Sequence, residues 1–174
     1  MEDLKHYIRS VPDFPKKGIN FYDISTLMAS PQGMTLALAR MEEYIRGRQA
    51  QKIVAIESRG FIFGGILADR LKVGLVPARK PGKLPCKTVS ASYALEYGVD
   101  TLEMHVDAVT RGERVVVVDD LIATGGTLAA VCQLCEELGG IVVGVSAIIE
   151  LSFLPWKDKL SRWDVNTLIS FDTE

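Results

Sequence analysis

The sequence is poor in cysteine and histidine and has no long hydrophobic run. It contains three cysteines and two histidines in 174 residues. Its longest apolar runs, such as 115–118 and 141–145, are far shorter than the ~20 residues of a membrane-spanning helix, so we expect no membrane partner. The first ten residues lack the apolar region of a secretory signal, and we therefore expect a cytoplasmic protein with reduced thiols.

Two of the cysteines, Cys132 and Cys135, form a C-x-x-C pair, a spacing that also occurs in redox and zinc sites. Cys135 is in line with Val131 and Leu138 on one face of a predicted helix. No further cysteine or suitably spaced histidine completes a zinc site. We therefore expect two buried or half-buried thiols, and we assign no metal ligand to the protein.

Neither sign of charge dominates the chain. Lysine and arginine total 20 against 22 aspartate and glutamate, which gives a net charge of −2. Such a chain has no overall field that attracts nucleic acid, so we expect no nucleic-acid partner, and any bound anion must meet a local basic site. A length of 174 residues with 48% hydrophobic residues predicts one domain, 1–174, with a substantial core.

The apolar pattern predicts strands that alternate with helices. Helices are expected after Ser30-Pro31, after 57–60 and after Thr127, and the last of them ends at Gly139-Gly140. The predicted strands are 52–56, 73–78, 88–95, 101–106, 114–118, 141–149 and 165–170. This order indicates an α/β fold, a mainly parallel twisted sheet flanked by helices, with 88–95 and 101–106 as an antiparallel excursion.

The strongest functional signal is the segment 115–127, VVVVDDLIATGGT. Asp119 and Asp120 follow a buried strand, and in open α/β sheets ligands bind beyond the carboxyl ends of the strands. Residues 123–127 supply two glycines, two threonine hydroxyls and backbone N–H groups at a helix start, which together can hold a phosphate. Two carboxylates repel a bare phosphate, so we expect them to hold ribose hydroxyls or a metal-linked group. The spacing therefore favours a phosphorylated sugar.

Each part of this segment also has a simpler explanation. The two aspartates could be a solvated strand end, and the glycines could form an ordinary tight turn. Their combination between a four-valine strand and a helix favours the functional interpretation. G-x-x-x-x-G-K-[ST] and G-x-G do not occur in the chain, which excludes P-loop nucleotidases and Rossmann dehydrogenases.

Segment 115–127 resembles the PRPP motif of type I phosphoribosyltransferases, in which a hydrophobic run, two acids and Thr-Gly-x-Thr follow one another. Segments 57–61 (ESRGF), 79–85 (RKPGKLP) and 95–98 (LEYG) resemble the members of this family that act on adenine. The resemblance extends from Phe14 to about Leu151. It implies the type I phosphoribosyltransferase fold, with a small N-terminal hood, about 1–33, and a mobile loop, about 79–106.

The resemblance also implies the reaction. Such an enzyme transfers the phosphoribosyl group of 5-phosphoribosyl 1-pyrophosphate (PRPP) to N9 of adenine and produces AMP and pyrophosphate. Mg²⁺ is bound mainly through PRPP, and a homodimer is expected. The alternatives are transfer to another base, or a PRPP-sensing regulator that binds nucleic acid. A regulator needs an appended DNA-binding domain or a broad basic face, and the negative net charge argues against the latter.

The resemblance assigns roles to the phosphate-binding residues. Asp119 and Asp120 hold the ribose hydroxyls. The 5′-phosphate is bound by backbone N–H groups of Ala123, Thr124, Gly125, Gly126 and Thr127. Pyrophosphate is bound by Glu57, Ser58, Arg59 and Gly60, where a cis peptide bond is expected at Glu57-Ser58, and by Arg79 and Lys83 of the mobile loop.

The base site is assigned in the same way. Enzymes of the family that act on 6-oxopurines usually have an aspartate at the position of Ala123, so the acid/base role near N7 falls to Glu96, which could equally be an exposed residue of the hairpin connection. Phe21 and Leu151 enclose adenine, although both residue types are core residues by default. Backbone groups near Asn20 and Tyr22 read its edge, and Tyr22 stands where adenine enzymes often have arginine.

Overall fold

A five-stranded parallel sheet forms the centre of the computed structural model, which describes residues 3–94 and 99–173. The strands are β1 (Arg9–Val11), β2 (Phe21–Asp23), β3 (Lys52–Ile56), β4 (Gly74–Ala78), β5 (Thr88–Ala94), β6 (Val99–His105), β7 (Arg114–Ile122), β8 (Ile141–Leu151) and β9 (Val165–Phe171). The helices are α1 (Ser25–Ala29), α2 (Pro31–Gly47), α3 (Gly60–Leu71), α4 (Gly126–Glu137) and α5 (Trp156–Leu160), with a 3-10 turn at Leu4–Tyr7.

The central sheet has the strand order β4-β3-β7-β8-β9 with every neighbouring pair parallel. Helices cover both of its faces, which explains the unbroken valine run of β7. Val115 and Val117 belong to a core cluster with α4, whereas Val116 and Val118 belong to a second cluster with α2 and α3. The predicted α/β fold with a mainly parallel sheet is therefore confirmed.

The start of the chain forms a two-stranded antiparallel ribbon that the sequence did not predict. In β1 and β2, Ser10 pairs with Tyr22 and Val11 with Phe21. The ring of Tyr22 stacks on Phe171 at a centroid distance of 3.7 Å, and its hydroxyl donates a hydrogen bond to the carbonyl oxygen of Thr173. These contacts fix the ribbon to the end of β9.

The antiparallel excursion predicted between β4 and β7 is present as the hairpin β5–β6, in which Thr88 pairs with His105 and Ala94 with Val99. The backbone of Arg79 forms an antiparallel bridge with Glu103, so the hairpin is joined to the segment that follows β4. Residues 95–98, which include the predicted catalytic Glu96, lie outside the described residues.

The predicted helix ends are confirmed at both α2 and α4. The Ser30 hydroxyl accepts a hydrogen bond from the Gly33 N–H at the start of α2, with Pro31 in its first turn. Gly139, in the left-handed region with φ +90°, follows the end of α4.

No helix among residues 3–94 and 99–173 combines the length and apolar character that crossing a membrane requires.

Several predicted strand ends differ from the structure by one or two residues, and the largest difference is at the end of β7. The sequence indicated that the β7 strand stops at Val118, but the strand continues to Ile122. Asp119 still pairs with Ala147 and Leu121 with Ile149, because β8 is long enough to continue the hydrogen-bond ladder. The two aspartates therefore lie within the strand, where the regular backbone fixes their directions.

Two adjacent glycines of α3 give a matched test of how closely α3 packs on β3. A Cβ atom at Gly64 would lie 2.5 Å from the Cβ of Ala55, while one at Gly65 would meet nothing within 4 Å. We expect Gly64→Ala to lower the free energy of unfolding by about 1–3 kcal/mol. Gly65→Ala should raise it by up to about 1 kcal/mol, because alanine favours helix. Urea unfolding followed by circular dichroism measures both, and equal effects would contradict this packing.

Candidate active site

A cavity of about 680 Å³ opens at the carboxyl ends of β3 and β7. From β3 the chain crosses through α3 to β4 on one side, and from β7 it crosses through α4 to β8 on the other. The cavity therefore lies at the point where the strand order reverses, which is where open α/β sheets bind their ligands. Its wall contains residues 19–20, 56–59, 93, 119–125, 127–128, 151 and 153–154.

The loop between β7 and α4 forms one side of the cavity, and Ala123, Thr124, Gly125 and Thr127 line it. Gly125 has φ +76°, and a Cβ there would lie 3.1 Å from both the Cβ and the carbonyl oxygen of Trp156. Only glycine combines this backbone conformation with so close an approach. Gly126 is the buried first residue of α4 and does not line the cavity. The first N–H groups of α4 have no intrahelical acceptor, so this loop is suited to bind an anion.

Asp119 and Asp120 lie beside this loop, and both are less than 10% exposed. One carboxylate oxygen of Asp119 accepts a hydrogen bond from the Asp120 N–H at 2.9 Å. Burial, together with the neighbouring charge of Asp120, raises the pKa of Asp119 well above its usual value. Two carboxyl groups therefore lie close together in a buried position, where ionisation of Asp119 is disfavoured.

Arg59 provides the neighbouring positive charge. Its Nε lies 2.6 Å from Oδ2 of Asp120, and the arginine side chain remains 38% exposed. Gly60, the first residue of α3, does not line the cavity, but a Cβ there would lie 2.9 Å from Oδ1 of Asp119. Gly60 thus permits the close approach of α3 to β7. The peptide bond Glu57-Ser58 is cis, as the sequence analysis expected.

Glu57 and Ser58 also line the cavity, whereas Arg79 and Lys83 do not. Both cations instead contact the Glu57 carboxylate: Arg79 Nε lies 2.8 Å from Oε2, and Lys83 Nζ lies 2.8 Å from Oε1. Burial alone favours the neutral acid, but the hydrogen bonds from Lys83 and Arg79 outweigh it and lower the pKa of Glu57. The carboxylate is therefore ionised and holds two cations at the edge of the cavity.

The other end of the cavity is mostly apolar. Asn20 and Leu151, for which the sequence predicted contact with adenine, line the cavity together with Ile19, Phe153 and Leu154, for which no role was predicted. The position of 153–154 just after β8 was a usable signal, because β8 ends at the same edge of the sheet as β7. An apolar slot with few polar groups suits a planar base.

The structure brings neither Phe21 nor the Tyr22 side chain to the cavity wall. The ring of Phe21 packs edge-on against Phe14 at a centroid distance of 5.3 Å, and Tyr22 packs on Phe171. Tyr93 of β5 lines the cavity instead, although no sequence pattern marked it. Cavity residues from the hairpin can be recognised only once the hairpin is placed over the sheet.

Cys132 and Cys135 are free, buried thiols in α4, as the sequence analysis expected. Burial raises the pKa of both, that of Cys135 to about 12, so neither is a reactive thiolate near neutral pH. Among the residues that the structure describes, no three His, Cys, Asp or Glu side chains group together as a metal site.

Comparison with known proteins identifies the fold and the chemistry. The phosphoribosyl transferase domain family matches residues 25–165. The chain is 49% identical over 171 residues to the adenine phosphoribosyltransferase of Caldanaerobacter subterraneus subsp. tengcongensis, covering 98% of this chain and 99% of the relative. It is 51% identical over 169 residues to the same enzyme of Brachyspira hyodysenteriae, covering 97% and 99%.

Solved structures give the same result. The crystal structure of adenine phosphoribosyltransferase from Thermoanaerobacter pseudethanolicus is similar, with a TM-score of 0.93 at 50% identity over 97% of this chain and 98% of that one. The Saccharomyces cerevisiae enzyme, complexed with D-2,5-dideoxy-2,5-imino-altritol 1,6-bisphosphate and adenine, has a TM-score of 0.87 at 40% identity over 95% and 96%. The chain therefore belongs to the adenine phosphoribosyltransferases of purine salvage, transferases with the type I phosphoribosyltransferase fold that move the phosphoribosyl group of PRPP to adenine.

Proposed function

We propose that this transfer takes place in the cavity at the ends of β3 and β7, with PRPP across the two strands and adenine in the apolar end. One observation carries the proposal: the two aspartates, the 123–127 loop, Arg59 and the apolar residues after β8 surround a single cavity. The wall of this one cavity contains an anion-binding loop, a pair of carboxylates and a group of apolar side chains.

The phosphate and ribose roles rest on the local geometry. The N–H groups of the 123–127 loop bind the 5′-phosphate, where the dipole of α4 favours negative charge. Asp119 and Asp120 accept hydrogen bonds from the ribose hydroxyls, because ionised carboxylates are acceptors only. Both carboxyl groups are buried, and the ribose hydroxyls would supply hydrogen-bond donors to their oxygens.

The same carboxylates support the reaction step. As the bond from the anomeric carbon to pyrophosphate breaks, positive charge develops on the sugar and negative charge on the leaving group. Asp119 and Asp120 stabilise the first, and Arg59 and Ser58 stabilise the second. The barrier is therefore lowered mainly by charges held in place, without a covalent intermediate on the protein.

Mg²⁺ reaches this site chelated by PRPP. The oxygen atoms of Asp119 and Asp120 are of the type that Mg²⁺ prefers. Mg²⁺ also tends to retain water and substrate oxygens, which fits a cavity whose described residues include no group of three His, Cys, Asp or Glu side chains placed as metal ligands. When bound with PRPP, Mg²⁺ would supply positive charge beside the pyrophosphate group, in addition to that of Arg59.

Adenine is favoured over a 6-oxopurine because Ala123 stands where enzymes that act on 6-oxopurines usually have an aspartate. Ala123 lines the cavity and cannot accept a proton at N7. Leu151 packs on one face of adenine, and backbone groups near Asn20 and Tyr22 read the edge. In the same proposal, Phe21 closes the other face of adenine when the base is bound, and Glu96 is the acid/base group near N7.

We also propose that the chain has a hood and a lid around the cavity and that two chains form a dimer. Residues 1–33 act as a hood over the base, and 79–106 as a lid. The exposed apolar side chains of Ile62 on α3 and Leu75 on the edge strand β4 favour a homodimer. Three free cysteines agree with a reducing, cytoplasmic compartment.

An initial-rate assay with PRPP and Mg²⁺ tests the function. Adenine, hypoxanthine, guanine, xanthine and orotate are offered separately, and we expect AMP from adenine alone. Glu96→Gln and Asp120→Asn should each abolish turnover while the circular dichroism spectrum remains native. Turnover of a different base would be consistent with the proposed phosphate site but would contradict the assignment of adenine as the substrate. PRPP binding without turnover of any base would favour the regulator.

A further inference from the structure

We infer that Glu57 is a positioning residue that sets the affinity for pyrophosphate by holding Arg79 and Lys83 as an internal counter-ion. The inference rests on the proposed function, which assigns pyrophosphate to this part of the cavity. It changes the role of Glu57 from a direct ligand to a competitor of the ligand.

The charge of Glu57 is the first reason. Its side chain is only 7% exposed, it lines the cavity, and both of its oxygens contact cations at 2.8 Å. An ionised carboxylate has no proton to donate to a diphosphate and repels it. The Glu57 carboxylate therefore cannot bind the oxygens of pyrophosphate directly, although it lies where pyrophosphate is expected.

The second reason is that the cations are already in use. Besides its contact with Glu57, Arg79 donates from Nη1 to the carbonyl oxygen of Lys83 at 3.2 Å, which folds 79–83 around the carboxylate. Lys80, the third cation of the segment, is paired with Asp100 at 3.2 Å. All three cations of 79–83 are thus paired within the protein, Arg79 and Lys83 with the one carboxylate of Glu57 and Lys80 with that of Asp100.

A diphosphate that recruits Arg79 and Lys83 must draw them from Glu57. Uncovering a nearly buried carboxylate costs free energy, and this cost is subtracted from the affinity for pyrophosphate. The arginine and lysine side chains are 34% and 49% exposed, so solvent screens the pairs and the penalty is moderate. A moderate penalty weakens the binding of the product and favours its release.

Isothermal titration calorimetry with magnesium pyrophosphate tests the inference without turnover. We expect Glu57→Gln to bind pyrophosphate about three- to tenfold more tightly than the original protein, because both cations become available. Asp100→Asn is the matched control, since it removes one carboxylate from the same cation segment but, of the three cations, releases only Lys80, and its amide group can still form hydrogen bonds with Tyr93 and Thr101. Its affinity should change by less than about twofold. In a Lys83→Met background the gain from Glu57→Gln should shrink.

Glu57→Gln binding pyrophosphate equally or more weakly with a native circular dichroism spectrum would overturn the inference. An equal gain from Asp100→Asn would overturn it as well, because the effect would then be one of net charge. If the glutamine variant does not fold, Glu57→Asp replaces it; the shorter side chain loses one contact and should tighten binding about twofold, and no gain would count against the inference. Original protein that binds no magnesium pyrophosphate would contradict the proposed site itself, and with it the inference.

Discussion

Gly125→Ala should lower kcat/KM for PRPP by about a hundredfold or more. The residue has φ +76°, and its missing Cβ faces the Trp156 backbone at 3.1 Å, so alanine must displace the loop that we assign to the 5′-phosphate. A displacement of about 1 Å is sufficient for a loss of this size, since the N–H groups no longer converge on the phosphate. Initial rates at varied PRPP concentration measure the effect.

Gly112→Ala is the control for backbone strain alone. Gly112 has a similar φ of +81°, but a Cβ there would meet nothing within 4 Å, and the residue lies in the turn before β7, away from the cavity. Both variants should lose some stability, of about 1–2 kcal/mol, to the left-handed backbone. Only Gly125→Ala should lose activity by two orders of magnitude, and a comparable loss in Gly112→Ala would show that strain rather than loop geometry is responsible.

Asp119→Asn should lower kcat/KM by about a hundredfold and at the same time stabilise the free protein. The loss of activity follows from removing a negative charge beside the developing positive charge of the sugar. The gain in stability follows because burial and the charge of Asp120 both disfavour ionised Asp119. Asparagine can still accept the hydrogen bond that the Asp120 N–H donates, so the local structure is retained.

The stability gain should depend on pH in a defined direction. The pKa of Asp119 is raised on folding above its usual value of 3.8. The stability that protonated Asp119 contributes is therefore fully present below its usual pKa of 3.8 and is lost as the pH rises through its higher pKa in the folded protein. Asp119→Asn should be more stable than the original protein at pH 7, and the difference should shrink as the pH approaches 3.8.

Thermal unfolding across this pH range measures the difference, with Asp107→Asn as the control at an exposed aspartate. The control should show no comparable gain at pH 7. Asp119→Asn that is less stable than the original protein at pH 7 would contradict the unfavourable burial of this charge.

The parts of the fold that the sequence predicted are those set by local pattern. The valine run of β7 and the Ser30-Pro31 helix start carry their signals within a few neighbouring residues. The β1–β2 ribbon could not be predicted, because its three-residue strands are held by pairing with each other and by Tyr22 packing on Phe171. The extension of β7 through Asp120 depends in the same way on β8 as a partner.

The residues of the candidate site that could be predicted are likewise those whose signal is local in the sequence. Residues on one continuous segment, such as Asp119 and Thr124, were found because strand, acids and loop follow one another in sequence. Tyr93 was missed because it reaches the cavity only through the placement of the hairpin, whereas Phe153 was missed although it follows β8 at the edge of the sheet where the cavity opens. The pairing of Glu57 with Arg79 and Lys83 joins residues about twenty-five positions apart, and no sequence spacing indicates it.

A crystal structure with AMP and magnesium pyrophosphate bound tests the central claim most directly. The account predicts the AMP phosphate on the N–H groups of 123–127, the ribose hydroxyls on Asp119 and Asp120, and adenine against Leu151. It also predicts pyrophosphate next to Ser58 and Arg59, with Arg79 or Lys83 moved away from Glu57. AMP bound outside the cavity between β3 and β7, or with its phosphate away from the 123–127 loop, would contradict the account.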